Sequence, residues 1–385
     1  MCIGSSAQAQ VSQVVRPFIG FTQSYDSNVL GLSSPEAALS TTGIRMMSDS
    51  SRTGYAGVDV EKPIGRQRVS ANLMVSRTGF TRLSQLDYRG ENFVADWNWR
   101  VGNDWSGKAG FVRTKSLAPF TDFHGLESNT NTTARRHVSA AWQFHPSWRL
   151  RAEAAHHEVD YSLASQSVYD RTERQSVFGI DYVTRAGNAA GLQWRRVDGH
   201  LPRQLIGPQA QPNDYLQDQL EFKANWQATG KTHVDFLGGM VRRQHAVYSE
   251  RDFRGYNGRA TLGMKVGSNT EITLAAWRET GIFDELSTAY SINRAVNIGV
   301  RWPVTNKTTL EGSSRREFRD FTRSLQFTSL PDYRDVLQMN QLSLNYLPRP
   351  NFSVQLILFS SSKDNSSGIG EYVRRGASLN SRYQF

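Results

Sequence analysis

The sequence predicts an all-β chain: a transmembrane antiparallel β-barrel of about eighteen strands, with short periplasmic turns and long extracellular loops. Three observations predict it. Polar and apolar residues alternate with period two in run after run. Tight turns alternate with long polar connections along the chain. The composition combines a polar average with many aromatics: 38% hydrophobic residues and 11% aromatic over 385 residues, with nine Trp. The mean hydropathy is −0.52. No run of eighteen apolar residues occurs, which excludes a helical membrane protein. The aromatics exclude a disordered chain.

The strands follow in order. The first is expected over residues 15–25. Next, Val69, Ala71, Leu73 and Val75 alternate with Arg68, Ser70, Asn72 and Met74. Over 92–101, Phe93, Ala95, Trp97, Trp99 and Val101 fall on one side, and Asn92, Val94, Asp96, Asn98 and Arg100 on the other. A helix would gain no apolar face from that order; a strand separates the two sets. Val138, Ala140, Trp142 and Phe144 share a face, as do Phe178, Ile180 and Tyr182 against Asp181. Leu220, Phe222, Ala224 and Trp226 alternate with Glu221, Lys223 and Asn225. Ala260, Leu262, Met264 and Val266 alternate with Arg259, Thr261 and Lys265. Val296, Ile298, Val300 and Trp302 alternate with Asn297, Gly299 and Arg301. Phe352, Val354, Leu356 and Leu358 form one face, with Ile357 out of phase, and the last strand is expected over 371–385.

Eight tight turns lie between these runs, at 63–66, 102–104, 145–147, 185–188, 229–231, 267–269, 303–306 and 348–351. They carry the Gly, Pro, Asn and Ser that reverse a chain. Longer polar connections alternate with them, for example at 26–50, 116–133, 199–212 and 320–333. Eight hairpins give sixteen strands; the first and last give eighteen, with both termini on the short-turn side. A soluble sandwich, jelly roll or propeller would have shorter strands, and no blade repeat of about 40 residues is visible. Trp99, Trp105, Trp142, Trp148, Trp226 and Trp302 stand close to short turns, as an interfacial girdle would. The chain ends Tyr383-Gln384-Phe385, with Ala377 and Leu379 in phase. A terminal Phe on an amphipathic strand resembles the signal by which such barrels are handed to their assembly machinery.

Residues 1–9 read as the remnant of a signal peptide, with Ala7-Gln8-Ala9 as an A-x-A cleavage signal, and residues 10–385 as the barrel. Cys2 is the single cysteine, so there is no disulfide framework and no multi-cysteine metal site.

Lys and Arg number 45 against 35 Asp and Glu, a net charge of +10, and only eight of the 45 are Lys. The Arg are scattered rather than gathered in an arm, which argues against nucleic acid as the partner. By parity, Arg68, Arg100, Arg149, Arg151, Arg195, Arg243, Arg259, Arg301 and Arg382 point into the lumen, joined by Lys223 and Lys265. Asp96, Glu153, Asp181, Glu221 and Asp235 point the same way. One role for this set is structural, with Arg and carboxylates pairing across neighbouring strands. The other is an electropositive path for an anionic or hydroxyl-rich polymer, as charged rings give selectivity in pores. One residue can serve both.

Catalytic motifs are thin. There is no G-x-S-x-G, H-E-x-x-H or C-x-x-C. Gly230-Lys231-Thr232 reads as a hairpin turn and not as a phosphate loop. His156 and His157 are adjacent on a strand, so they face opposite ways and cannot share a metal. The expectation is a non-enzymatic chain with no cofactor.

The opening residues 17–30, from Pro17-Phe18-Ile19-Gly20-Phe21 through Tyr25-Asp26-Ser27-Asn28 to Val29-Leu30, resemble the start of the EpsL-type outer-membrane proteins of exopolysaccharide operons. That resemblance implies a bacterial outer-membrane conduit for exopolysaccharide production and export, whose lumen binds the polymer weakly and repeatedly. The implied partners are exopolysaccharide or another saccharide, outer-membrane lipid, the barrel assembly machinery and separate periplasmic export proteins. Two other readings stand beside it: a diffusive uptake porin for small anions or oligosaccharides, and an outer-membrane hydrolase with a Ser–His–acid set at one rim.

Overall fold

The computed structural model describes residues 14–120, 125–206, 211–281, 288–323, 332–368 and 370–385. The signal-peptide reading of 1–9, with Cys2, lies outside them. Among the described residues twenty strands occur in chain order. They are β1 (Val15–Asp26), β2 (Asp49–Ile64), β3 (Gln67–Phe80), β4 (Tyr88–Val101), β5 (Trp105–Leu117), β6 (Thr130–His145), β7 (Trp148–Tyr161), β8 (Arg171–Val183), β9 (Ala189–His200), β10 (Leu205–Ile206), β11 (Gln211–Pro212), β12 (Tyr215–Thr229), β13 (Thr232–His245), β14 (Phe253–Val266), β15 (Thr270–Gly281), β16 (Thr288–Pro303), β17 (Thr308–Arg323), β18 (Tyr333–Arg349), β19 (Phe352–Asn365) and β20 (Tyr372–Gln384).

All but β10 and β11 form one 18-stranded antiparallel sheet. Each strand pairs with its sequence neighbour. The ring closes where β1 meets β20, from Phe18 opposite Gln384 to Asp26 opposite Gly376. The protein is therefore a closed barrel, as the period-two pattern predicts. β10 and β11 are a two-residue ladder inside one of the long connections.

Register fixes which way each side chain points, because residues directly opposite in an antiparallel pair share a face. The outward face is marked by large apolar side chains left open to the surroundings. Leu73 is 41% exposed, Phe178 55%, Leu192 54%, Leu220 57% and Ile298 45%. Leu73 stands opposite Val58 and Phe93, and Ile298 opposite Leu274, so the apolar row is continuous from strand to strand. In water this surface would be a severe liability; in lipid it is the belt. The barrel sits in the outer membrane.

The two rims differ. On the short-turn side, Gly102 and Gly267 hold φ of 62° and 64°, a left-handed backbone that suits glycine. Aromatic residues ring this rim. Trp105 stacks on Trp142 at 5.4 Å, Trp148 meets Tyr182 edge-on at 5.3 Å, and Tyr383 meets Phe385 at 5.1 Å. Trp226 and Trp302 are exposed there as well.

The other rim carries the long connections. Here the sequence reading missed local structure. In the connection between β1 and β2, α1 (Pro35–Thr42) starts where the Ser34 side chain accepts from the Ala37 N–H, and stops at Gly43 with φ 77°. Val29, Leu30, Leu32 and Ala38 from this connection pack with Leu83 and Leu86 of the next, against Phe120 and Leu126 of a third. Leu30, Leu83 and Leu86 are fully buried. Three loops thus share a small apolar core above the lumen wall. Gly31, with φ 61°, is required there, since a Cβ would come within 2.9 Å of the Phe120 carbonyl.

Two outcomes are expected. Ile298→Arg places a charge in the belt and should cost about 2–4 kcal/mol, whereas Asn297→Arg, one residue along and facing the lumen, should be tolerated. Urea unfolding of the barrel in vesicles measures both. Leu30→Ala should remove about 2–5 kcal/mol from the loop core, seen as faster proteolysis between residues 27 and 48 with the barrel intact.

Candidate functional site

The wall of the lumen is the candidate site. All eight Arg of the expected path lie on the face opposite the apolar belt, and their partners fall into three groups.

The first group spans β7, β8, β9 and β12. Arg149 Nη2 donates to Asp181 Oδ2 at 2.7 Å. Arg151 donates to both oxygens of the same carboxylate at 2.7 and 2.9 Å, and to Gln193 at 3.2 Å. Gln193 donates to Glu221 at 2.8 Å, and Arg195 donates to Glu221 at 2.7 Å. Asp181 and Glu221 are buried at 1% and 3% exposure, while the three Arg remain part-exposed toward the lumen. Two guanidinium groups thus share one carboxylate. Lys223, next inward-facing after Glu221, has no ion pair among the described residues.

The second group lies on β14 to β17. Arg259 bonds Glu279 at 3.1 Å and lies over the Trp277 ring at 4.7 Å, with Arg315 also over that ring at 4.8 Å. Arg315 and Arg319 both pair with Glu317, the latter at 2.7 Å, and Glu317 is buried. Again two Arg share one acid, and here an indole face adds a flat apolar surface between guanidinium planes. Arg301 bonds Glu311 at 3.2 Å and lies 3.7 Å from Glu271.

The third group is more structural. Arg243 is buried, donates to Gln217 at 2.8 Å and to the Gly281 carbonyl at 3.1 Å, and lies over the Tyr215 ring at 4.8 Å. It braces the wall near the long-loop rim. Arg68 pairs with Glu61, which Arg16 also approaches at 3.6 Å. Arg382 covers the Phe18 ring at 3.7 Å and pairs with Asp59. Arg100 stands exposed near the short-turn rim and has no ion pair among the described residues.

Several inward residues escaped the sequence reading. Glu317, Asp335, Asp59 and Glu61 face the lumen, as do Arg315, Arg319 and Lys363. Their strands, β17 and β18 especially, lack a clean apolar face; Ser314, Asn340 and Gln338 stand on the outward side. The signal that could have found them is register from the neighbouring strand. Among the described residues no three His, Cys, Asp or Glu converge as a metal site. His156 Nε2 bonds Glu158 at 2.7 Å on the outward face, and His157 lies 3.8 Å from Glu173 on the inward one.

No protein-family model matches the chain, and no curated protein matches it in sequence. Solved structures do match it in fold. The outer-membrane protein OpdK of Pseudomonas aeruginosa superposes with a TM-score of 0.53 at 10% identity, over 97% of this chain and 100% of that one; it has also been crystallised with vanillate. OccK2 (OpdF) of the same species, in complex with glucuronate, gives 0.51 at 10% identity over 96% and 98%. A BenF-like porin from Pseudomonas fluorescens Pf-5 gives 0.51 at 10% over 96% and 99%.

These matches are to porins of the OpdK and OccK type, and they overturn both the resemblance to EpsL-type proteins and the exopolysaccharide conduit that it implied. The physical reason lies in residues 17–30. Phe18 to Asp26 is simply a first barrel strand. Asn28 then donates and accepts locally: its N–H donates to Asp26 Oδ1 at 2.9 Å, its side-chain amide donates to the Leu32 carbonyl at 2.7 Å, and its Oδ1 accepts from the Leu32 N–H at 3.1 Å. Tyr-Asp-Ser-Asn is a strand end with an Asx turn, useful to any barrel and diagnostic of none.

Asp181→Asn should leave Arg149 and Arg151 facing one another without their counter-charge. The expected result is a loss of about 3 kcal/mol, the low end for an uncompensated buried charge, together with a stronger anion preference in single-channel recordings.

Proposed function

We propose that the barrel is a diffusive uptake channel for small organic anions, of the class of aromatic carboxylates and acidic sugars. One observation carries this reading: at two places on the lumen wall a pair of Arg shares a single buried carboxylate, Arg149 and Arg151 on Asp181, and Arg315 and Arg319 on Glu317. Each cluster keeps one positive charge in excess, and each Arg side chain on this inward face stays part-exposed. A carboxylate can be received two-toothed by such a fork. The acid holds the fork in place, and because it also competes for it, the passing anion is bound weakly. Weak, repeated binding is what conduction needs. Trp277, flanked by Arg259 and Arg315, adds a face on which a planar ring can rest. The carboxylates bound by OpdK and OccK2, vanillate and glucuronate, belong to this chemical class.

The reading does not require polymer. Nor does it require chemistry at the wall: Asp181, Glu221 and Glu317 are each held by Arg.

In planar bilayers the channel should prefer anions, and the preference should weaken as salt rises, because screening acts over about 10 Å at 0.1 M. Changing Arg100, Lys223 and Lys265, which have no ion pair among the described residues, to Gln should lower that preference without unfolding the barrel. Vanillate or glucuronate added to one side should reduce the chloride current. Cation preference in the unmodified channel would sink the reading.

A further inference from the structure

We infer that the outer wall carries a binding band for the phosphate groups of an outer-leaflet glycolipid, and that its densest part lies on β14 to β18. The inference rests on the membrane position of the barrel and not on what the lumen conducts.

The outward rows share a layout. Each leaves the short-turn rim, runs through the apolar belt, and on most strands ends in Arg. On β3 the row is Val69, Ala71, Leu73, Val75, then Arg77. On β5 Trp105, Ala109 and Phe111 lead to Arg113, and on β15 Ile272, Leu274 and Ala276 lead to Arg278. From Trp105 to Arg113 the chain climbs eight residues, about 20 Å along the membrane normal for a strand tilted by roughly 40°. Guanidinium groups extending upward from there reach the upper edge of an apolar band about 25 Å tall. The other edge is built differently, from Trp and Tyr, and its outward rows carry few cations among the described residues, Lys62 and, past a bulge, Arg349. The wall therefore distinguishes the two leaflets.

Water alone does not account for the arrangement. Arg242 stands directly opposite Arg254, and Arg278 directly opposite Arg294. Like charges directly opposite one another destabilise a sheet. Acids answer only part of this charge: Asp320 is shared by Arg294 and Arg334, while Arg254 has no ion pair among the described residues. Arg278 lies over the Tyr256 ring at 4.1 Å and Arg316 over Phe318 at 5.2 Å, so ring faces hold both, and neither has an ion pair among the described residues. A multivalent anion would relieve the repulsion, and phosphate matches the forked donors.

The same place offers room for the rest of a lipid. Below Arg278, Arg294 and Arg334 runs an open groove of about 640 Å³, floored by the small residues Gly258, Ala260 and Ala276 and walled by Phe236 and Phe318. An acyl chain laid in the groove would put its phosphorylated head among the Arg. Charge complementarity above and apolar shape below commit the site to a phosphorylated lipid of the outer leaflet.

The test uses the full chain in detergent, with lipid A carrying its phosphates and with lipid A from which they have been removed, and reads bound lipid by native mass spectrometry. The phosphorylated form should bind at least tenfold more tightly. The triple change Arg254→Gln, Arg278→Gln and Arg294→Gln should abolish that preference, and the same three positions changed to Lys should keep most of it. Channel conductance and anion preference should be unchanged in both variants, because these side chains face away from the lumen. Equal binding of the two lipids by the unmodified chain would overturn the proposal. So would a heat-modifiable, folded Gln variant that still prefers the phosphorylated form. Should the Gln variant fail to fold, the unmodified chain and the Lys variant decide the matter by the same comparison.

Discussion

Closure of the sheet is the constraint on which the rest depends. Within the hydrocarbon layer no water is available to pair a free N–H or C=O, so a strand that spans it must be paired on both sides. Here the condition is met where β1 meets β20, from Phe18 opposite Gln384 to Asp26 opposite Gly376. Once the ring is closed, no edge remains, and every strand residue is committed to one of two faces. A slip of one residue would exchange the faces of a whole strand. The apolar belt holds that register: Leu262 opposite Leu274, and Leu274 opposite Ile298, can be kept in lipid only one way.

The lumen is built from what closure leaves over. Side chains that do not face lipid face each other across a lattice with spacing of about 5 Å between strands. Arg is suited to it, since its fork spans that spacing. Arg149 and Arg151, two positions apart on β7, meet one carboxylate on β8; Arg315 and Arg319, on β17, meet Glu317 between them. Asp181 and Glu317 are covered by the guanidinium groups they hold, while the guanidinium edges stay open. The wall is thus rigid in its acids and available in its bases, which is the arrangement a weak anion site needs.

The barrel itself was legible in the sequence because period two and turn chemistry are local. Eight short turns and two termini are enough to count eighteen strands. The inward direction of Arg100 or Arg301 follows from the same alternation. Which acid meets which Arg is not local. Arg151 and Asp181 are separated by thirty positions, and only the pairing of β7 with β8 brings them together. The loop core of Leu30, Leu83 and Leu86 is equally non-local, and α1 is short and lies in a connection whose polar composition hid it. The opening motif misled for the opposite reason. It is local, and the job it does, ending a strand with Asp26 and turning at Asn28, is one that many barrels share.

The Arg doublets bring lumen and outer wall into one account. Consecutive Arg occur at 135–136, 195–196, 242–243, 315–316 and 374–375. Neighbours on a strand point to opposite faces, so each doublet sends one guanidinium inward and one outward. Arg195 bonds Glu221 in the lumen while Arg196 bonds Asp218 outside; Arg315 joins Glu317 and Trp277 inside while Arg316 lies over Phe318 outside. A lumen that selects anions explains the inward member of each doublet and says nothing about the outward one. A surface that only needs solubility would not gather the outward members at one edge of the apolar rows. On the two proposals the members answer two different anions, one that passes through the barrel and one that surrounds it. Their separation by a single residue lets the same strand serve both without either charge entering the belt.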